Sequence, residues 1–309
     1  MPQQTFYGQG KLLLTSEYFV LDGAQALAVP TRFGQRMSVA AGDVSSAATL
    51  KWTSVDHAGK LWLSASFDLS DFAIKNSEDE RTIRPLREIL RAARTLNSEF
   101  LTGGRDIDVT TTLEFPSDWG LGSSSTLIYM VGQWAEVCPF KLLEGTFGGS
   151  GYDIACAGAP QAILYQVSGG MPKWSHVTFN PPFTEHLYFA HLNRKQNSRH
   201  GIRHYREVNP SPAPAIKRLN QIAQKMLKAA HLEEFDALLA EHEELIAKAL
   251  NLSVVKEALF ADYWGQIKSL GAWGGDFVLA TSDRTRKETN DYFHRRGYKT
   301  VLSYDELIL

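Results

Sequence analysis

The run Gly120-Leu121-Gly122-Ser123-Ser124-Ser125-Thr126 follows a strand-like segment and leads into an apolar stretch. Strand, glycine turn and helix in that order suit an anion: glycines let the backbone approach closely, and the first turn of a helix offers unpaired N–H groups at its positive end. Serine hydroxyls there can donate to phosphate oxygens or coordinate Mg2+, which takes hard oxygen ligands. The same residues also read as a plain Gly/Ser helix cap, so the run alone does not decide between the two. The pattern G-x-x-x-x-G-K-[ST] is absent, which excludes a P-loop. Three further segments have comparable chemistry. In Gly8-Gln9-Gly10-Lys11-Leu12-Leu13-Leu14-Thr15-Ser16-Glu17-Tyr18 a lysine opens an apolar strand that ends in Ser-Glu. In Gly148-Gly149-Ser150-Gly151-Tyr152-Asp153-Ile154-Ala155 glycines present one carboxylate at the start of an apolar helix, where Asp153 is either a chemical group or an N-cap. Leu270-Gly271-Ala272-Trp273-Gly274-Gly275-Asp276-Phe277 leads glycines into a strand.

The elements that must position these residues follow from periodicity. Lys11 to Leu14, Leu27 to Val29, Thr49 to Val55 and Leu61 to Phe67 read as short strands. Arg81 to Leu96 carries Ile83, Leu86, Ile89, Leu90 and Ala93 at helical spacing, and Asp106 to Phe115 alternates as a half-buried strand. Ser123 to Val137 is an apolar helix. Gln161 to Val167, Lys173 to Val177 and His186 to Leu192 read as strands. Helices are expected over Ser198 to Val208, Ala213 to Ala230, Leu232 to Leu250, Val254 to Ser269 and Thr285 to Arg296, with strands at Phe277 to Thr281 and Tyr298 to Leu302. The paired prolines of Asn180-Pro181-Pro182 mark the best domain boundary, dividing the chain into 1–180 and 181–309.

Composition narrows the classes. The 309 residues carry a formal charge of −2, against a general nucleic-acid binder, which would be strongly basic. Two cysteines, Cys138 and Cys156, are too few for a disulfide framework or a four-ligand zinc site. No signal peptide and no apolar run of membrane-spanning length is present, so the expectation is a soluble, cytoplasmic monomer or homodimer acting on a small molecule. A basic cluster, Arg194, Lys195, Arg199, His200, Arg203, His204 and Arg206, is either a solvated helix face or a set of cations for a carboxylate or phosphate.

Taken in order, the Lys11, Gly120 to Ser125, Asp153 and Gly271 to Asp276 segments resemble the GHMP small-molecule kinases (galactokinase, homoserine kinase, mevalonate and phosphomevalonate kinases) from Gly8 to Val278. Ser16-Glu17-Tyr18 with Val20-Leu21-Asp22, and the aspartate after Gly274-Gly275, look most similar to phosphomevalonate kinases. The resemblance implies an α+β chain: an α/β N-terminal domain with the GHMP-kinase fold and a ferredoxin-like C-terminal domain. It implies ATP and Mg2+ as cofactors, Asp153 as catalytic base and Lys11 as its charge partner. Gly120, Leu121, Gly122, Ser123, Ser124, Ser125, Gly274 and Gly275 would hold the nucleotide. Ser124 would face the metal, with Glu144 either its second ligand or a surface residue. Ser150 and Gly151 would face the acceptor, and Glu17 is either on that side, structural, or a support for Lys11; in the ligand reading of the basic cluster Arg199 and Arg203 join the acceptor side. The implied reaction is phosphotransfer to a small acidic, mevalonate-pathway-like substrate. A sugar or homoserine kinase, or a silent nucleotide-binding protein on the same fold, are the alternatives. Trp273 departs from the usual all-small turn and would narrow a nucleotide or substrate pocket.

Overall fold

The computed structural model describes residues 3–77, 80–194, 198–208, 212–271, 273 and 276–309, without the side chains of residues 77, 198 and 199. The chain forms two compact units that interleave along the sequence. The first comprises Met1–Gly10, Phe33–Ser117 and Gly122–Gly158; the second comprises Lys11–Arg32, Asp118–Leu121 and Ala159–Leu309. Strands β1 (Gln4–Leu13) and β2 (Ala26–Val44) pair with one another and contribute residues to both units.

In the first unit β3 (Thr49–Val55) pairs antiparallel with β4 (Leu61–Asp68), which pairs with β5 (Ile74–Ser77). On its other side β3 runs parallel to β6 (Arg105–Leu113), and β6 runs antiparallel to Gln35–Val44 of β2. Alternation along β6 buries Val109, Thr111 and Leu113 and leaves Asp108 and Thr110 exposed, as a strand with one covered face must. The cover is α1 (Glu80–Leu96), whose buried stripe is Ile83, Leu86, Ile89, Leu90 and Ala93, with α2 (Ser123–Trp134), α3 (Pro139–Glu144) and α4 (Tyr152–Ala157). Trp52, Phe67 and Leu90 lie at the centre of this core, and a fully buried large apolar side chain contributes on the order of 1.5–3 kcal/mol.

In the second unit Ala26–Ala28 of β2 pair with β7 (Ile163–Ser168), which pairs with β8 (Met171–His176). A separate antiparallel sheet has the order β10 (Ile267–Ser269), β11 (Phe277–Thr281), β9 (Leu187–His191), β12 (Val301–Ser303). β9 and β11 are buried along their whole length. With them stand α5 (Ser198–Val208), α6 (Ala213–Met226), α7 (Leu232–Leu250), α8 (Val255–Leu259), α9 (Arg286–Arg295) and α10 (Tyr304–Leu307). Thr31 bridges Ile308, and Leu309 donates its N–H to Pro30 O at 3.1 Å. The large mixed sheet and the small antiparallel one are those of a two-domain α+β fold. Among the described residues no helix is long and apolar enough to cross a membrane.

Two expectations need correction. The helix over Val254 to Ser269 stops at Leu259 and is replaced by a turn and β10. Around Gly265 a helix is replaced by close backbone approach: a Cβ there would lie 1.9 Å from Thr281 O, and the Thr281 N–H donates to Gln266 O at 2.9 Å. The three-residue strand at Leu27 to Val29 is part of a nineteen-residue one, because Pro30 and Gly34 lie inside β2 without ending it. We predict that Gly265→Ala, which must push two backbones apart, destabilises the chain by roughly 1–3 kcal/mol or more, whereas Gly103→Ala, with open space around it, stays within about 0.5 kcal/mol of wild type in thermal unfolding.

Candidate active site

The predicted site residues fall into two groups, one in each unit. In the first unit α2 begins at Gly122, a left-handed residue (φ 93°) that supplies no side-chain cap. Ser125 and Thr126 donate their N–H groups to Gly122 O at 3.0 Å. The serines therefore do not cap this helix, in contrast to α9 and α10, where Thr285 with Glu288 and Ser303 with Glu306 form complete capping boxes. Ser124 is exposed, Ser123 half-buried and Ser125 buried. The Ser125 hydroxyl donates to Asp153 Oδ2, whose other oxygen accepts the Ile154 N–H at 3.1 Å. Asp153 sits in the first turn of α4, which likewise starts at a left-handed glycine without a side-chain cap, Gly151 (φ 83°). The arrangement thus sets a carboxylate against the amino end of α2. Thr126, buried, donates to Gln35 Oε1 at 2.7 Å, and Gly8 leaves room for Thr126, whose Cβ would stand 3.0 Å from a side chain placed there. These contacts fix the first turn of α2 on β1 and β2. Ser150 is half-buried, and Glu144, the last residue of α3, is exposed.

In the second unit three of the sequence segments converge on Gly120. The Lys11 ammonium donates to Gly120 O at 3.0 Å, and the Lys11 N–H to Leu121 O at 3.0 Å. Gly120 is left-handed (φ 67°), and any Cβ on it would lie 2.3 Å from Asp276 Cγ. Asp276 is held in turn through its backbone, its N–H on Arg194 O at 2.7 Å and its carbonyl accepting from Leu192 at 2.8 Å. Just before Gly120, Trp119 packs edge-on against Phe277 (5.5 Å) and Asp118 O accepts from His191 Nε2 at 3.1 Å. Gly274 and Gly275 lie outside the described residues, as does the Arg199 side chain; Arg203 is exposed on α5. Trp273 is buried among Tyr18, Phe19, Tyr205, Leu219 and Ile246, so its ring is part of a core.

Glu17 is deeply buried and leads to residues that the sequence reading missed. Its carboxylate accepts from Lys268, which has no exposed surface and also donates to Ser269 O at 2.7 Å. His242 Nε2 accepts the Ser16 N–H at 2.7 Å and lies 3.4 Å from Glu17 Oε2. Glu243 accepts from Ser269 N–H (3.1 Å), Ser269 Oγ (3.0 Å) and Val255 N–H (3.3 Å). A signal for two of these was available: His242 and Glu243 fall on the same stripe of α7 as Phe235, Leu238, Leu239, Ile246 and Leu250. Burial holds the His242 imidazole neutral, well below its ordinary range, and the Lys268 charge adds to that. Burial raises the Glu17 carboxyl, against the pull of Lys268. Burial pushes Glu243 up to about 7, opposed by Lys268 and reinforced by Glu17.

No protein-family model and no curated protein matches this sequence. Solved structures do match in fold. The chain is similar to L. major mevalonate kinase in complex with R-mevalonate, at 15% identity and TM-score 0.66 over 97% of this chain and 94% of that one. It is similar to Streptococcus pneumoniae phosphomevalonate kinase in complex with phosphomevalonate and AMPPNP, at 17% identity and TM-score 0.67 over 97% and 98%. Lactococcus lactis galactokinase complexed with galactose matches at 14% identity and TM-score 0.68 over 97% and 92%. The chain has the fold of the GHMP kinases.

The Glu243 shift generates a prediction about stability. Between pH 5 and 7 the folded chain keeps a proton on Glu243 that an unfolded carboxylate, with its ordinary value near 4.5, has released. Stability from this group is therefore lost as pH rises through that window. Neutral His242 acts oppositely below its ordinary value, since the unfolded imidazole takes up a proton there. Comparing Glu243→Gln with wild type isolates the carboxylate. Urea unfolding at pH 5, 6 and 7 should show the difference moving in favour of the variant by at most ~1.4 kcal/mol per pH unit, whatever its constant offset; parallel curves would contradict the assignment.

Proposed function

We propose that the chain is an ATP- and Mg2+-dependent kinase that transfers a phosphoryl group to a small acidic acceptor of the mevalonate or phosphomevalonate type. The observation that carries this reading is the Ser125–Asp153 hydrogen bond at the uncapped amino end of α2. A triphosphate needs N–H donors and a positive helix end; an acceptor hydroxyl needs a nearby carboxylate to take its proton as it attacks. In this reading Asp153 accepts that proton and Ser125 orients the carboxylate. The amides of Gly122 to Ser124 hold phosphate oxygens, and Lys11, already directed at Gly120 O, offsets charge on the transferring group. Gly274 and Gly275 would complete the nucleotide side.

The donors suit Mg2+. The exposed Ser124 hydroxyl and the exposed Glu144 carboxylate are hard oxygen ligands, and this ion commonly binds through one or two protein oxygens together with substrate phosphates. Among the described residues no group of three or more His, Cys, Asp or Glu forms a ready cage. When bound with the nucleotide, the ion would neutralise phosphate charge; Ser124 and Glu144 would hold it. The exposed Arg203, with Arg199 on the same helix, supports an anionic acceptor, because guanidinium pairs with carboxylate or phosphate in a two-point contact. Ser150 and Gly151, beside Asp153, belong to the acceptor side in this reading.

The test is ADP release with Mg·ATP and each of mevalonate, phosphomevalonate, galactose and homoserine. Turnover is expected with one of the two mevalonate compounds. Turnover with galactose or homoserine only would move the assignment to another acceptor class. ATP binding by calorimetry without ADP release on any of them would replace the kinase by a silent nucleotide binder. Asp153→Asn should lower kcat by a factor on the order of 10^2–10^4 while leaving the ATP dissociation constant within about threefold of wild type; wild-type turnover by this variant would remove Asp153 from the chemistry.

A further inference from the structure

Glu17 is flanked by two residues in the left-handed region, Ser16 and Tyr18, both at φ 65°. Neither is glycine, and L side chains persist there only where surrounding contacts over-determine the backbone. Those contacts are specific here. The Ser16 N–H is taken by His242 Nε2, the Ser16 hydroxyl donates to Gln25 O at 2.7 Å, and Glu17 is gripped by Lys268. Within the turn, Phe19 N–H bonds Glu17 O at 2.8 Å and Val20 N–H bonds Ser16 O at 3.0 Å. Glu17 Oε2 is buried with no hydrogen-bond partner among the described residues, so the Lys268 contact on the other oxygen carries the compensation for that carboxylate.

What the turn supports is α5. Tyr18 stacks on Tyr205 with ring centroids 5.8 Å apart, and Gly201 is required where a Cβ would come within 2.2 Å of the Tyr18 hydroxyl oxygen. Asp22, at the far end of the turn, accepts from Tyr205 at 2.5 Å and from Arg206 at 2.8 Å. Tyr18 also takes the Trp273 N–H at 3.2 Å. The helix that presents Arg203 therefore rests on the turn that Lys268 holds from below.

We propose that Lys268 is a positioning residue: through Glu17 it fixes the left-handed Ser16–Tyr18 turn, and with it the seat of α5, for binding an anionic acceptor. The acceptor part rests on the function proposed above; the hold on the turn does not. Lys268 touches neither nucleotide nor acceptor in this scheme. Its effect on turnover is confined to how well the acceptor binds.

The experiment compares wild type, Lys268→Met, Glu17→Gln and the double variant by hydrogen exchange and by ADP release. Each single change leaves one buried group of the pair without its counterpart, whereas the double change removes both charges, so its thermal midpoint should return toward wild type. Exchange should nonetheless rise in the peptide Leu12–Gly23 of the double variant, while Thr49–Val55 of the first unit stays protected. With whichever panel compound the wild type phosphorylates, the double variant should raise the acceptor KM about tenfold or more and leave the ATP KM within about twofold. Restored protection of Leu12–Gly23, or equal changes in both KM values, would overturn the proposal. If Lys268→Met does not fold, the double variant decides. Absence of ADP release by the wild type across the panel counts against the phosphotransfer reading alone, and the exchange result then decides whether Lys268 holds the turn.

Discussion

An ammonium and a carboxylate lose several kcal/mol of hydration each when they leave water, and Lys268 and Glu17 have both left it. Their mutual contact makes this tolerable, together with the bond from Lys268 to Ser269 O. The cluster around them reaches in several directions. Glu243 on α7 binds Ser269 on β10 and the first N–H of α8; His242, one residue earlier, binds Ser16. A segment near residue 17 is thus tied to elements about 230–250 residues later by charge and hydrogen bonding. The two left-handed residues beside Glu17 cost of the order of 1–3 kcal/mol each, a strain that such a cluster can sustain.

The helix starts divide in the same spirit. At α9 and α10 side chains occupy the amino ends in reciprocal capping boxes, while α3, α6, α7 and α8 start without a side-chain cap. At α2 and α4 a left-handed glycine occupies the cap position, no side chain closes the end, and the hydroxyl and carboxylate next to it bond to one another.

Much of the fold was legible in the sequence because alternation and helical spacing are direct images of burial. β3, β11 and α7 were read with their observed limits, and α1 within a residue. The helix expected from Val254 to Ser269 failed because apolar spacing does not register the backbone-to-backbone approach at Gly265. β2 was read short because proline and glycine punctuate a sequence even where the strand continues through them. At the site, the residue types of Lys11, Ser125 and Asp153 were visible, and so was their order. Invisible was that Asp276 would crowd Gly120, since nothing local in either segment encodes a contact across 156 positions. Lys268 was hidden for a related reason: a lysine in sequence reads as solvated unless its partners are known.

The bridge between Thr31 and Ile308, with Leu309 bonded to Pro30, joins segments separated by almost the whole chain. The second unit is built from residues 11–32, 118–121 and 159–309, so Pro30 and Thr31 must wait for partners made far later in the chain. At roughly 5–20 residues per second, synthesis leaves Pro30 and Thr31 without these partners for on the order of 15–55 s. In that interval Pro30 and Thr31 present backbone groups that the finished fold closes.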